Sequence, residues 1–184
     1  MTHRLLGLSA GALILGLTSV ATAQAVEPTL PDGPRRLLQQ YWANTPGPER
    51  GTDFWVLESD LRPQEGHPVA HVIIVKAYDA AGTPIDWAEF KTDFDCAPRL
   101  DRFIVGVSVS PEGRRVVEGD GEFSIVPDFV PKSPVMLRVC AIQEGRGEDL
   151  SNLQRADDRD AALAASRDLE LKHRERLAAF AHHP

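Results

Sequence analysis

Between residues 54 and 126, apolar residues recur at every second position in short runs separated by turns that carry Gly or Pro. The run DWAEFKTDFDC (residues 86–96) sets the pattern. Phe90, Thr92, Phe94 and Cys96 fall on one face, and Glu89, Lys91, Asp93 and Asp95 on the other. Such a strand has a dry side and a wet side, and antiparallel sheets are the ones that keep a wet side. FWVLES (54–59) is a second short strand. HVIIVKAYD (71–79) is almost continuously apolar and rich in β-branched residues, which places it centrally with both faces covered. RFIVGVSVS (102–110) alternates again, with Phe103, Val105, Val107 and Val109 inward. RRVVEG (114–119) returns after a Pro-Glu-Gly turn, and EFSIV (122–126) follows Asp120-Gly121. Strands at hairpin spacing predict an antiparallel meander of about five to six strands.

Helical signals flank this block. Upstream, residues 26–50 form a Pro-rich arm containing RRLLQQYW (35–42). Leu37, Leu38 and Tyr41 recur there at helical spacing after a Pro at a natural first position, so the segment reads as a short helix or as an extended arm on the domain. Downstream, Ser133-Pro134 opens PVMLRVCAI, which fits a helix through Met136, Val139 and Cys140 and, by its β-branched content, also fits a strand. The sheet domain is thus drawn at 51–145. Residues 146–184 are rich in Ala, Leu, Arg and Glu and read as a charged helical C-terminal segment. Its apolar stripe breaks at Asp157, Asp160 and Arg167, so part of it is expected to stand away from the sheet. The fold class is α+β: an antiparallel sheet flanked by helices.

The first 25 residues set the compartment. Arg4 precedes an apolar run over 5–20, and Ala21-Thr22-Ala23 and Ala23-Gln24-Ala25 offer overlapping small-x-small cleavage sites. That is the layout of a signal peptide, and the expected location is periplasmic or secreted. The run falls short of the roughly 20 residues of a membrane-spanning helix, so no membrane span is expected in the mature chain. With 20 Lys and Arg against 27 Asp and Glu, the net charge is −7. Such acidity argues against nucleic-acid binding, which needs clustered cations.

Cys96 and Cys140 are the only cysteines, and an even pair in an exported chain reads as one disulfide. It would tie a strand end to the segment after the sheet.

The stretch FKTDFDCAPRLDRFIVGVSVSPEGRRVV, followed by FSIVPDFVPKSPVMLRVC, resembles the surface-adhesin protein E-like family of small exported bacterial proteins. The likeness covers about residues 54–142. It rests on Asp95-Cys96 at a strand end, a turn with Gly113, then Pro127, Pro131 and Ser133 before a helix, and Cys140. The resemblance implies an antiparallel sheet flanked by helix with the two cysteines bridged. The family's namesake is an outer-membrane lipoprotein that binds host matrix and serum proteins. This chain has no Cys at the end of its leader to carry a lipid, and it adds the charged segment beyond Ile142.

No catalytic, cofactor or metal set emerges from the residue types. His67 and His71 are four apart, but Pro68 and a strand start set them in unrelated directions. GVSVS (106–110) lacks the Gly that a serine nucleophile elbow needs. Glu118, Asp120 and Glu122 surround a Gly turn without a calcium-loop frame. Trp87, on the wet side of its strand, is the one candidate binding surface, unless a flanking segment covers it. The expectation is a non-enzymatic exported protein that binds a protein or an envelope component. The alternative is a periplasmic hydrolase or other enzyme with a loop-borne site.

Overall fold

The computed structural model describes residues 28–42, 51–128 and 132–181. The leader expected at 1–25, residues 43–50 and His182-His183 lie outside the described residues. Eight strands form one sheet: β1 (Arg35–Trp42), β2 (Gly51–Leu57), β3 (Val69–Tyr78), β4 (Pro84–Asp95), β5 (Leu100–Ser110), β6 (Gly113–Glu118), β7 (Ser124–Ile125) and β8 (Arg155–Ala156). The order is β6-β5-β4-β3-β2-β1-β8, with β7 pairing β5, and every pairing is antiparallel. Two helices, α1 (Lys132–Gln143) and α2 (Arg159–Ala181), pack against the sheet. The fold is α+β, and each segment read as a strand is one.

The sheet is wider than expected because residues 35–42 are a strand, not a short helix. β1 pairs β2 from Arg35↔Leu57 to Trp42↔Gly51, with a bulge between Leu37 and Gln39. Leu38 joins the core on the α1 side and Leu37 packs on the α2 side. Adjacent leucines packed on opposite faces imitate helical spacing in one dimension, while the ladder to β2 and the cap of β8 satisfy the backbone.

Each face has its own core. On the α1 side Phe54, Val56 and Val72 of the sheet meet Val135, Met136 and Val139 of the helix. PVMLRVCAI is therefore helix, and Cys140 on its buried face bonds Cys96 at the end of β4 with Cα atoms 5.9 Å apart. On the α2 side Trp55, Ile73 and Val75 meet Ala162.

Two side-chain assignments change. Lys91 pairs Val105 but Thr92 pairs Phe103, so Ile104 is an extra residue that flips the phase of β5. Phe103 therefore sits on the α1 side, away from Val105, Val107 and Val109. The wet face of β4 is also partly dry. Glu89 is 1% exposed and Asp93 4%, because ion pairs to neighbouring segments cover them.

α2 docks through small and polar residues. Ala162, Ser166 and Glu170 recur every four positions on one face and are buried. Asp158 caps the helix by accepting from Ala161 N at 2.7 Å. Farther along, Arg174 donates to Ala80 O at 2.9 Å, holding the helix to the β3–β4 hairpin. The last turns are exposed, with Phe180 at 75%. Only that end stands clear of the sheet.

Candidate functional site

α1 covers one half of its face of the sheet and leaves the other half open. There, Val72, Phe90, Gly106 and Val117 form one cross-strand row over β3 to β6. Gly106 makes the dip in this row. A Cβ at that position would lie 2.5 Å from Glu89 O and 3.0 Å from Phe90 Cδ1, so only Gly lets the Phe90 ring lie down beside β5. Phe103, brought to this side by the bulge, meets Phe90 edge to face with centroids 5.4 Å apart. The result is an apolar groove of about 320 Å³ along β4, walled by Val135 of α1 on one side and Val117 on the other. That volume lies at the small end of the range for small-molecule sites, roughly 300–1,000 Å³.

Three charged side chains line the groove. At the end level with Phe94, Lys132 Nζ lies 2.6 Å from Asp101 Oδ2, so these two neutralise each other. Toward the other end, beside Ile74, Lys76 is exposed and has no ion-pair partner among the described residues.

On the opposite face, Trp87 lines a second cavity of about 260 Å³ with Glu89, Val107, Arg114 and Arg159. Residues 28–30 close one side of it, so Trp87 is half-buried under the N-terminal arm rather than displayed on an open surface. The floor is a buried ion cluster. Glu89 Oε1 accepts from Arg35 Nη2 at 2.6 Å, and Oε2 accepts from Arg159 Nε. Asp32 accepts from the Arg159 backbone N–H at 3.0 Å, and this bond with that from Gly33 holds its pKa below the ordinary value, against the opposing pull of burial.

A third group of polar side chains is sealed beneath α2. Tyr78 Oη donates to Asp53 Oδ2 at 2.7 Å, Trp55 Nε1 donates to Ser166 Oγ at 2.9 Å, and Arg174 Nε donates to Glu170 Oε1 at 2.7 Å. Burial pushes the Asp53 carboxyl up, and the Glu170 charge adds to the shift. Burial also pushes the Tyr78 hydroxyl up, with Asp53 reinforcing it. Asp53, Ser166 and Glu170 are at most 1% exposed, so no substrate reaches them in this arrangement. They hold the helix to the sheet.

The remaining residues singled out in the sequence do not converge. His67 lies near Asp95 and the Phe123 ring, whereas His71 Nδ1 sits 2.8 Å from Asp60 Oδ2. Ser110 donates to Glu112 in an exposed turn, and Asp120 accepts from Glu122 N in another. Among the described residues, no three His, Cys, Asp or Glu side chains are grouped to hold a metal ion. Among the same residues, no helix is long and apolar enough to cross a membrane. The groove residues were not legible as a site in the sequence, because Phe103 reaches it only through the bulge. Comparison with protein-family models, with curated proteins and with solved structures finds no match.

Proposed function

We propose that this chain is an exported, non-enzymatic binding protein of the cell envelope, and that the groove on the α1 side takes an apolar ligand. The observation that carries this reading is the Phe90–Phe103 pair lying beside Val117, an aromatic and aliphatic surface left open next to a helix. Ile85 and Ile125 are also exposed on the sheet, but neither lines the groove. Export is supported by the tripartite leader and by the Cys96–Cys140 bridge, a form of cross-link at home in oxidising compartments. The likeness to surface-adhesin protein E-like proteins supports the same setting. Binding is favoured over catalysis because the buried acid and base groups are engaged with one another beneath α2.

The test is titration with a neutral probe that fluoresces in apolar surroundings, such as N-phenyl-1-naphthylamine. Saturable binding that is lost in Val117→Arg, with an unchanged circular dichroism spectrum, is the expected outcome. Val117 is 38% exposed, so an Arg there can fill the groove mouth without entering the core. Equal binding by the variant, or no binding by the parent protein, defeats the reading.

A further inference from the structure

The groove is electrically lopsided, and this identifies its ligand more closely. Resting on the groove's role as a binding site, we infer that it takes a single-chain fatty acid of medium length, with the carboxylate at Lys76 and the chain running along β4 toward Phe94 and Asp101. Lys132 is an unsuitable anchor. Its ammonium already neutralises Asp101, which is 8% exposed, and pulling it away would leave that carboxylate buried without its partner. Lys76 has no such commitment among the described residues. A carboxylate there gains an opposite charge, whereas a cationic head would meet like charge.

The wall chemistry fixes the other end of the ligand. Phe90, Phe103, Val117 and Val135 offer carbon surface, and the Lys132–Asp101 pair closes the far end without spare charge. A second charged group on the ligand would have no counterpart there. Ile74 pairs Ala88 and Asp101 pairs Phe94, so the groove follows about six residues of β4, roughly 20 Å. The stretch left between the Lys76 ammonium and the Lys132–Asp101 pair suits a chain of medium length, for which decanoate is the probe.

Displacement of the neutral fluorescent probe tests this with decanoate, decanol and decylamine. At low salt, decanoate should bind about fivefold more tightly than decanol, the upper end of what a solvent-exposed ion pair supplies, and added salt should erase the difference. Lys76→Met should level the two ligands, and Lys76→Glu should reverse the order in favour of decylamine. Lys76 is exposed, so neither variant threatens folding. Shortening the acid from ten carbons toward six should weaken binding about fourfold per methylene. If decanoate and decanol bind equally while the probe still binds, the carboxylate assignment at Lys76 fails and the apolar groove survives. If decanoate binds Val117→Glu, which fills the groove mouth and repels an acid, as well as it binds the parent, the acid sits elsewhere and the inference is overturned. If neither ligand nor probe binds, the groove reading itself falls.

Discussion

Trp55 and Ser166, 111 residues apart, meet between β2 and α2, where the indole Nε1–H donates to the Ser166 hydroxyl at 2.9 Å and both side chains are fully buried. A serine in the middle of a helix face is a poor hydrophobic contact, but here it is the acceptor that allows a tryptophan to be buried. Ser166→Ala should strand the indole N–H in a dry interface and cost about 1–3 kcal/mol in urea unfolding. Trp55→Phe should cost at least as much, since it also removes packing. A double variant costing no more than Trp55→Phe alone would show the two losses to be one interaction.

Asp53 makes the same interface pH-dependent. Burial raises its pKa in the folded protein above the unfolded value. A group shifted upward contributes its stability fully below the unfolded pKa and loses it as pH rises through the folded pKa. Asp53→Asn keeps an acceptor for the Tyr78 hydroxyl and removes the titration. The variant should therefore match the parent protein at acid pH and become the more stable of the two toward neutral and alkaline pH. Denaturation midpoints over a pH series check this, and a gap that closes with rising pH would contradict it.

These two residues also show what the sequence conceals. The period-two runs revealed β4 and β5 as strands, and the continuous β-branched run revealed β3, because such patterns survive without reference to any partner. The reading failed at β1, where a bulge and two leucines on opposite faces imitate a helix, and in the facing of Phe103 within β5, where Ile104 shifts the phase. Both bulges exist only as pairing offsets against another strand. The docking face of α2 was equally hidden, because Ala162, Ser166 and Glu170 do not read as an apolar stripe. Cys96 and Cys140 were legible from count and compartment, since covalent chemistry needs no pattern. The groove was not legible, because it is the part of a face that α1 fails to cover.

Reduction of the Cys96–Cys140 bridge should destabilise without altering the groove. The bond spans a sequence separation of 44, for which chain entropy gives about 4 kcal/mol. For a chain of this size each kcal/mol moves the melting temperature by about 2–4 °C, so Cys140→Ser or dithiothreitol should lower it by about 10 °C. Probe binding at 25 °C should persist, because the bridge joins the end of β4 to the far end of α1 from Val135. Loss of binding with the fold intact would mean that the bridge also sets the groove wall.

Glu89 is the residue whose loss should hurt most. Its carboxylate alone accepts from both Arg35 and Arg159, linking β4, β1 and the first turn of α2, and it is 1% exposed. Arg35 is fully buried, and its Nε and Nη1 have no hydrogen-bond partner among the described residues. Glu89→Gln removes the only buried negative charge of the group and leaves two guanidiniums facing each other. Breaking a buried pair from one side costs about 3–5 kcal/mol, most of it from the charge left behind. Replacing Glu89 and Arg35 together, as Glu89→Leu with Arg35→Met, should recover a large part of that loss by removing both desolvated charges. Equilibrium unfolding of Glu89→Gln and of the double variant decides the point. If Glu89→Gln alone is nearly neutral, the cluster is solvated and the ion pairs do not hold the arm and α2 to the sheet.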